Sequence, residues 1–481
     1  MSNCRYLINS CIHQTYDILD FRTTQSSKTR SYYVRCQNSF DQTLDGENGG
    51  SRKLKILIAG GGIGGLVLAL AAKHEGFEVQ VFEKDLSAVR GEGQHRGPIQ
   101  LVSSALEVLE AIDENVAKQI KEAGCVTGNR TTGYADGLSG EWITKFDLSS
   151  PAVSRGLPLT LVICRMALQD ILLNAVGLDI VRNKSKVVDF LEDPSKVTVI
   201  LEDGQQYDGD VLAGADGIWS KVRAKLFGER EAKYSTYTSY SGVTNFVPPY
   251  IDSVAYRIFL GLNQCFVATD VGNGKIQWFA NHKEQPMSND PPEGTLLSAP
   301  SFPLPSQCKK KRLLQKFESM ILRRDIYDRD MMYTWGAGRV TLLGDAAHPM
   351  QPNLGQGGCM AIEHHAACMS EKWKQIKDCY QLIHELVQAS ESDSNVQISE
   401  EIVLALRRYA NKRLWRVGLV FAASRFASKM LASYKPYIEF KIGPLAHLLT
   451  QRITHPAIPV FRAFLQICLP KFMAWITAGH G

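Results

Sequence analysis

Three glycines between an apolar run and an apolar helix constrain this chain more than any other feature. Residues 56–59 form a short apolar run that is typical of a buried parallel strand, and Gly60, Gly62 and Gly65 follow it in the spacing G-x-G-x-x-G. Residues 66–72 then form an apolar stretch without Pro or Gly. A strand, a glycine-rich turn and a helix in this order predict the first half of a dinucleotide-binding βαβ unit.

The second half of this unit ends in an acidic residue. Gly76 ends the predicted helix, residues 79–82 predict a second strand, and Glu83 lies 18 residues after Gly65. The helix N-terminus offers N–H groups and a positive dipole end to a pyrophosphate, and Glu83 can accept hydrogen bonds from both ribose hydroxyls. The pattern fits FAD or NAD, and we add Lys84 to the predicted cofactor contacts. The alternative is a glycine-rich turn in an ordinary βαβ unit.

Composition excludes several other classes of protein. The chain has 481 residues, 44% of them hydrophobic and 21% charged, so it can bury a substantial core. A net charge of +5 is too small to indicate a nucleic-acid-binding protein. The 11 cysteines form no C-x-x-C pair and no metal-ligand spacing, which favours reduced thiols and predicts no metal site. No uninterrupted apolar stretch reaches the ~18–20 residues of a membrane span.

Residues 1–52 differ in composition from the rest of the chain. They are rich in Ser, Thr, Asn and Gln, and the first sixteen residues contain Arg5 and no acid. This pattern is typical of an organelle transit peptide, although Asp17 and Asp20 oppose it. The alternative is a disordered N-terminal tail. Under either interpretation the fold begins near residue 53.

Two arginines lie where they could meet a bound cofactor. Arg96 belongs to a polar loop at 90–100 that would bring it near the cofactor by folding back. Arg165 begins a predicted helix and could point at a phosphate. For both residues the alternative is a solvated surface arginine.

A second motif, 211–223, joins a buried strand to an Asp-Gly pair and a following helix. It predicts that Asp216 and Gly217 lie at the carboxyl end of a strand, where ligands gather in open α/β sheets. Taken alone, Asp-Gly is a common turn.

A third motif, 340–363, runs from a buried strand through a Pro- and Gly-rich loop into a helix. Its acid can hold a ribityl or ribose hydroxyl, its paired glycines can lie flat against a planar ring, and the helix N-terminus can stabilise negative charge on that ring. The predicted cofactor contacts are Gly344, Asp345, Pro352, Gly355, Gly357 and Gly358.

In this order the three motifs resemble the single-component FAD monooxygenases of the aromatic-hydroxylase type. Four longer stretches, 82–100, 214–223, 321–329 and 350–363, are similar to the zeaxanthin epoxidases of plants. The resemblance extends from about residue 53 to residue 481.

Together, the patterns and this resemblance predict an α/β fold. A Rossmann-type FAD-binding domain would occupy 53–400, interleaved with a mixed or antiparallel-sheet substrate domain at about 125–165 and 230–335. C-terminal helices would follow at 401–481.

The resemblance also implies cofactors and partners. These are FAD, NAD(P)H as reductant with ferredoxin as an electron relay, O2, and a carotenoid substrate at a chloroplast membrane surface, either thylakoid or envelope. It implies that the β-rings of zeaxanthin are epoxidised to antheraxanthin and violaxanthin through a flavin C4a-hydroperoxide. Because the flavin would carry this chemistry, we predict no catalytic side chain and interpret His348 as structural.

Three departures from the family pattern accompany the resemblance. We expect no forkhead-associated domain in this chain. Fourteen residues, 364–377, follow Glu363 where the family continues directly, and they could extend that helix by about four turns. A segment is missing near residue 320, after a predicted basic helix at 309–320.

Residues 402–481 are predicted to be helical and basic. Arg408, Lys412 and Arg416 recur at every fourth position and would share one helix face. This region is interpreted either as helices packed on the FAD domain or as a membrane-surface anchor.

Three functions stay open on the sequence. The chain is a carotenoid epoxidase, a hydroxylase of a smaller aromatic compound with a more polar pocket, or a non-catalytic or inactive homologue disabled by the insertion and the deletion.

Overall fold

The computed structural model describes most of the chain from Lys53 onward. The described residues are 53–87, 97–137, 139–245, 252–287, 295–297, 321–355, 357–362, 378–391, 395–434, 437–441, 450–456 and 458–478. The predictions for 1–52, Arg96, the helix at 309–320 and the insertion at 364–377 lie outside these residues.

A six-stranded sheet forms the centre of the nucleotide-binding half. It consists of β1 (Lys55–Ala59), β2 (Glu78–Phe82), β8 (Val181–Arg182), β12 (Val211–Gly214), β19 (Gly336–Ala337) and β20 (Val340–Leu342). The strand order is β19-β20-β12-β1-β2-β8, and every neighbouring pair is parallel except β19 with β20. The predicted βαβ unit therefore supplies two neighbouring parallel strands, β1 and β2, to this sheet.

The first helix, α1 (Ile63–His74), is buried along most of its length and connects β1 to β2. It begins three residues earlier than the apolar stretch suggested. It packs on α5 (Arg165–Val176), which begins at the predicted residue. Gly76 adopts a positive φ of 78° and turns the chain into β2.

Smaller elements complete this half. The remaining helices are α2 (Ser103–Ile112), α3 (Glu114–Ala123), α4 (Ser149–Val153), α6 (Lys221–Phe227) and α7 (Gly357–Ile362). Two three-stranded sheets consist of β3 (Ile99–Leu101), β7 (Leu161–Ile163) and β4 (Cys125–Val126), and of β9 (Val187–Glu192), β10 (Val197–Leu201) and β11 (Gln206–Gly209).

An eight-stranded mixed sheet forms the second half. It consists of β5 (Thr131–Asp136), β6 (Trp142–Phe146), β13 (Lys233–Thr244), β14 (Val254–Gly261), β15 (Gln264–Asp270), β16 (Ile276–Lys283), β17 (Thr295–Leu297) and β18 (Ile321–Asp328). The order is β17-β18-β13-β16-β15-β14-β5-β6, with β5 and β14 parallel and the other pairs antiparallel. The mixed sheet is thus confirmed. Segment 125–165 supplies only β5 and β6 to it, because β4 and β7 pair near β3 instead.

Three helices and a hairpin follow. They are α8 (Asp378–Ser390), α9 (Asn395–Ser433), α10 (Ile458–Ala478), and the antiparallel pair β21 (Tyr437–Lys441) and β22 (Thr450–Thr454). The predicted C-terminal helices are confirmed, but the hairpin interrupts them. Its strand β21 follows Pro436 and contains the strand-favouring residues Tyr437, Ile438 and Phe440. Helix α9 also continues across the predicted boundary between 400 and 401. No helix of the described residues has the length and hydropathy needed to cross a membrane.

The basic positions that share one face of α9 are paired within the protein. Arg408 Nε and Lys412 Nζ each lie 2.6 Å from a different carboxylate oxygen of Glu385 on α8. Arg416 lies over the ring of Trp475, 5.0 Å from its centroid. These cations therefore fix α9 against α8 and α10, and the side chains of Arg408 and Lys412 remain 39% and 47% exposed.

One face of the large sheet carries a row of cross-strand neighbours. Tyr134, Ile258, Val267, Phe279 and Ser241 follow one another on β5, β14, β15, β16 and β13. Paired residues on neighbouring strands share a face, so the five side chains point the same way. The Tyr134 end packs against α10, whereas the other end of the row is partly exposed.

The residues on either side of the insertion remain adjacent. Cys379 Sγ, at the start of α8, donates to the carbonyl oxygen of Ala361 on α7 at 3.0 Å. A helix continued through all intervening residues would separate the two by about 27 Å. Extension of the helix by four turns is therefore wrong.

The contact between Ala361 and Cys379 has the geometry of one helix. Without the fourteen extra residues the two positions become i and i+4, and a side chain that donates to the carbonyl four residues earlier is a usual helical contact. The thiol of Cys379 also lies 3.4 Å from the carbonyl oxygen of Gly64, so α7 and α8 pack together on α1. The described residues thus keep the helix phase that the family pattern requires.

Deletion of residues 364–377 should therefore preserve the fold. The shortened chain is expected to unfold at the same or a slightly higher urea concentration, because the residues on either side of the removed segment are already in contact and the helix phase is kept. Deletion of only 364–375 is the matched control, since it rotates α8 by about 200° relative to α7. Equal loss of stability in both variants would contradict the shared helix phase.

Candidate functional site

Four parallel strands end at the same level of the six-stranded sheet. Ala59 is paired with Phe82 and with Gly214, and Gly214 is paired with Leu342. Each of these residues is the last of its strand or directly precedes a motif. The strand register therefore brings all three sequence motifs and the acid after β2 to one edge, as the sequence predicted for the carboxyl ends of the strands.

The glycine turn is built for close backbone approach. Gly60 has a φ of 108°, and a Cβ on it would overlap the carbonyl of Ala215 in the second motif. A Cβ on Gly65 would overlap the carbonyl of Gly60. By contrast, a Cβ on Gly62 would meet no atom within 4 Å, and no side chain caps the helix there. Two glycines thus permit tight packing, and the third borders open space at the N-terminus of α1.

Glu83 is buried, and its carboxylate is hydrogen-bonded to the backbone of the glycine turn. Its Oε2 accepts a hydrogen bond from the Gly61 amide at 2.6 Å, and its Oε1 accepts one from the Asp85 amide at 2.9 Å. Each oxygen retains a second lone pair for a ribose hydroxyl. Lys84 follows it on the exposed side of the strand end.

Asp216 has a structural contact that the sequence did not reveal. Its Oδ2 accepts from the amides of Lys221 and Val222 at 2.7 and 3.2 Å and so caps α6. Its Oδ1 is buried and has no hydrogen-bond partner among the described residues. The pKa of this carboxyl is raised, because the effect of burial exceeds the opposite effect of its hydrogen bonds. Gly217 follows with a φ of 77° and open space beside it.

Arg223, which the sequence reasoning did not single out, joins the second and third motifs. It is buried, its Nη1 donates to the carbonyl of Ala346 at 2.7 Å, and its Nη2 donates to that of Ile218 at 2.5 Å. Burial lowers its pKa to about 10, so it stays charged at neutral pH. In the sequence, Arg223 lies three residues after Ser220, the N-cap of α6. A side chain in the first turn of a helix points back toward the helix N-terminus, which here lies next to the strand ends.

Asp345 lies in a short 3-10 turn at the end of β20. Its side chain reaches solvent on one side, yet the surrounding protein raises its pKa by burial, as expected for a carboxylate in the wall of a cleft. Arg165, Arg223 and His348 act on that pKa in the opposite direction, so the three basic groups lie near it. His348 is buried with its ring 5.1 Å from that of Trp335, which supports a structural role.

The two glycines that begin α7 have different surroundings. A Cβ on Gly357 would lie 3.8 Å from Asp345 Oδ1, on the open side. A Cβ on Gly358 would overlap the side chain of Ile99 on β3. Gly358 therefore lets β3 approach α7, and Gly357 borders the space beside Asp345.

The loop before α7 faces the large sheet. It contains the 3-10 turn Pro352–Leu354 and Gly355, which has a φ of 64°. Pro352 and Asn353 line a small pocket with residues from the same face of the sheet as the apolar row, Cys265 and Asn281 among them. The loop before α7 thus lies against the face of the large sheet that carries the apolar row. The other residues that line this pocket are Ser235, Tyr237, Gln264, Ile326 and Ser428.

The residues present fit a dinucleotide cofactor. The open space at Gly62 lies over an uncapped helix N-terminus, Glu83 stands at the neighbouring strand end, and the Asp216 Oδ1 atom is buried without a described partner. No group of three metal-ligating side chains occurs in the described part of the chain.

Comparison with known proteins gives the same result. A family model described as FAD binding domain matches residues 53–372. The chloroplastic zeaxanthin epoxidase of Oryza sativa subsp. japonica is 50% identical over 445 residues, which cover 89% of this chain and 63% of the relative. That of Prunus armeniaca is 48% identical over 493 residues, which cover 98% of this chain and 69% of the relative. The chain thus spans about two thirds of the length of these relatives.

Solved structures share the fold. HpxO of Klebsiella pneumoniae with FAD and uric acid has a TM-score of 0.64 at 21% identity, covering 89% of this chain and 97% of that one. A salicylate hydroxylase substrate complex has a TM-score of 0.65 at 19% identity, with coverages of 89% and 96%.

The different surroundings of Gly62 and Gly65 lead to a paired prediction. Gly62→Ala should leave the urea unfolding curve unchanged but weaken FAD binding by about tenfold, because the methyl group occupies the space at the helix N-terminus. Gly65→Ala should instead lower the free energy of unfolding by about 1–3 kcal/mol through overpacking. Flavin fluorescence titration and urea denaturation measure the two effects. Equal FAD affinity in wild type and Gly62→Ala would contradict the placement of the pyrophosphate.

Proposed function

The chain belongs to the FAD binding domain family, and we propose that it is an FAD-dependent monooxygenase that epoxidises the β-rings of zeaxanthin. The choice of substrate rests on its similarity to the zeaxanthin epoxidases of plants. The single structural observation that supports the proposal is the strand register, which brings three cofactor motifs to one edge of the sheet. The products would be antheraxanthin and then violaxanthin.

We assign the cofactor contacts as the sequence predicts them. The N-terminus of α1 at Gly62 would hold the pyrophosphate, Glu83 the adenosine ribose, and Asp345 a hydroxyl of the ribityl chain. The sequence predicts further contacts at Gly60, Gly65, Lys84, Arg96, Arg165, Asp216, Gly217, Gly344, Pro352, Gly355, Gly357 and Gly358. Among these, Gly60, Gly65 and Gly358 also have the packing roles described above, so their contacts with the cofactor would be made by the backbone. The reductant would be NAD(P)H, with ferredoxin as an electron relay.

The protein's own part in the reaction is to exclude water and to position the alkene. Bound FAD, once reduced, would supply with O2 the electrophilic oxygen that an alkene can attack. The apolar row at Ile258, Val267 and Phe279 would contact the substrate and hold its ring near the loop at Pro352. No side chain is assigned as acid, base or nucleophile.

Two observations bear on the alternatives. The partly exposed row on the sheet is apolar over three strands, which favours a carotenoid ring over a small polar aromatic compound. The helix phase kept between Ala361 and Cys379 argues against disruption of the fold by the insertion, which is one of the two reasons given for an inactive homologue. The carotenoid epoxidase is therefore the function that the site supports best.

We further propose a chloroplast location and contact with a lipid surface. Leu404, Trp415 and Phe426 are spaced by eleven residues, or about three helical turns, so they share one face of α9, and all three are at least half exposed. The ring of Phe426 lies 5.5 Å from that of Phe464, which extends the apolar face onto α10 beside exposed Ile467. Such a face suits an enzyme whose substrate resides in lipid.

Sedimentation with vesicles tests this surface. Trp415→Ser combined with Phe426→Ser should lose binding to phosphatidylcholine vesicles, with and without phosphatidylglycerol, whereas Leu178→Ser, an exposed apolar position after α5, should not. Unchanged sedimentation of the double variant would exclude α9 as the contact.

Turnover tests the central proposal. The FAD-loaded chain supplied with NADPH, reduced ferredoxin and zeaxanthin should form products one and two oxygen atoms heavier, and it should leave a phenolic acid unchanged. Val267→Asn should lower kcat/KM for zeaxanthin by about 10–200-fold, since it places an amide in the apolar row. Val188→Asn, at an exposed position on β9, is the matched control. Oxidation of the phenolic acid in place of zeaxanthin would favour the aromatic hydroxylase.

A further inference from the structure

A buried carboxylate joins the large sheet to α9. Asp328, the last residue of β18, is 2% exposed and accepts from Arg425 at both oxygens, with Nε 2.7 Å from Oδ2 and Nη2 3.0 Å from Oδ1. The guanidinium also lies over the ring of Phe421, 4.7 Å from its centroid, and 3.3 Å from Asp330. A bidentate pair stacked on an aromatic ring has one favoured orientation, so Arg425 defines where Asp328 lies relative to α9.

The same carboxylate holds the loop before α7. Asp328 Oδ2 accepts from the side-chain amide of Gln351 at 2.9 Å. The backbone carbonyl of Gln351 accepts from Ser424 Oγ, one residue before Arg425, at 2.6 Å. Gln351 is therefore fixed at its side chain through Asp328 and at its backbone by α9 directly.

Gln351 stands immediately before the turn that leads to the proposed flavin contacts. Pro352 follows it, Gly355 is closed by a hydrogen bond from its amide to the carbonyl of Pro352 at 2.9 Å, and α7 begins at Gly357. Because so few residues separate Gln351 from Gly357, and the turn between them is hydrogen-bonded, a shift of Gln351 moves the start of α7.

We propose that Asp328, Gln351, Ser424 and Arg425 form a latch by which α9 sets the position of the loop 351–355 against bound FAD. The four are positioning residues and act on the cofactor through the loop. This inference rests on the proposed function, since it assumes that the loop borders the flavin. It makes the affinity for FAD and the environment of the flavin ring depend on a C-terminal helix that lies outside the sequence motifs.

Two variants test the latch. Gln351→Met has a similar volume and removes the amide link while leaving the pair of Asp328 and Arg425 intact. Arg425→Lys keeps the charge but cannot make the bidentate pair. The matched control is Arg408→Lys, which makes the same exchange on the same helix in the pair with Glu385, away from the loop.

Both latch variants should weaken FAD binding by about tenfold or more and shift the visible absorption and circular dichroism of bound flavin. Arg408→Lys should leave all of these at wild-type values. In the cofactor-free protein, amide hydrogen exchange of a peptide covering 351–355 should be faster in Gln351→Met than in wild type or in the control.

The outcomes separate the two claims. Wild-type FAD affinity, flavin spectra and loop exchange in Gln351→Met would overturn the latch, and so would equal weakening in Arg408→Lys. Should Arg425→Lys fail to fold, Gln351→Met alone decides. A wild-type chain that binds no FAD would instead overturn the proposed function on which the latch rests.

Discussion

The parallel register of β2, β1, β12 and β20 is the constraint on which the rest of the structure depends. It aligns Phe82, Ala59, Gly214 and Leu342 in one row, so that the four chain segments leaving the sheet emerge side by side. These segments are far apart in sequence and contain few residues of defined chemistry. The register brings these four segments together in one cofactor cleft, which the N-terminus of α1 and the carboxylates at the strand ends line.

Guanidinium groups, buried at Arg223 and half-buried at Arg329 and Arg425, then fix the loops at the strand ends. Arg223 and Arg329 both donate to the carbonyl of Ile218, and burial lowers the pKa of each. Arg425 acts in the same way for the loop before α7, through Asp328. A buried charge with satisfied hydrogen bonds tolerates little displacement, because any lost partner leaves it desolvated and unpaired. The cleft is thus set by a few polar contacts between segments distant in sequence.

Local patterns predicted much of this, and tertiary contacts account for what they missed. The start of α5 and the order of strand, turn and helix at Gly60 follow from periodicity and turn signals within a few residues. The hairpin at β21, the capping of α6 by Asp216 and the contact of Gly358 with Ile99 depend on which segments meet, and no local pattern specifies that. Likewise, the sequence shows the insertion after Glu363 but not that Ala361 and Cys379 stay in contact. The cofactor contacts remain predictions, supported by the geometry of the cleft.

The flavin content of the purified protein tests the account most directly. Residues 53–481 would be expressed, purified and examined by visible absorption, with added FAD where none is retained. The account predicts the spectrum of oxidised FAD at about one flavin per chain, released on denaturation. A folded chain, verified by circular dichroism, that neither retains nor takes up FAD would contradict the assignment of the cleft at the strand ends.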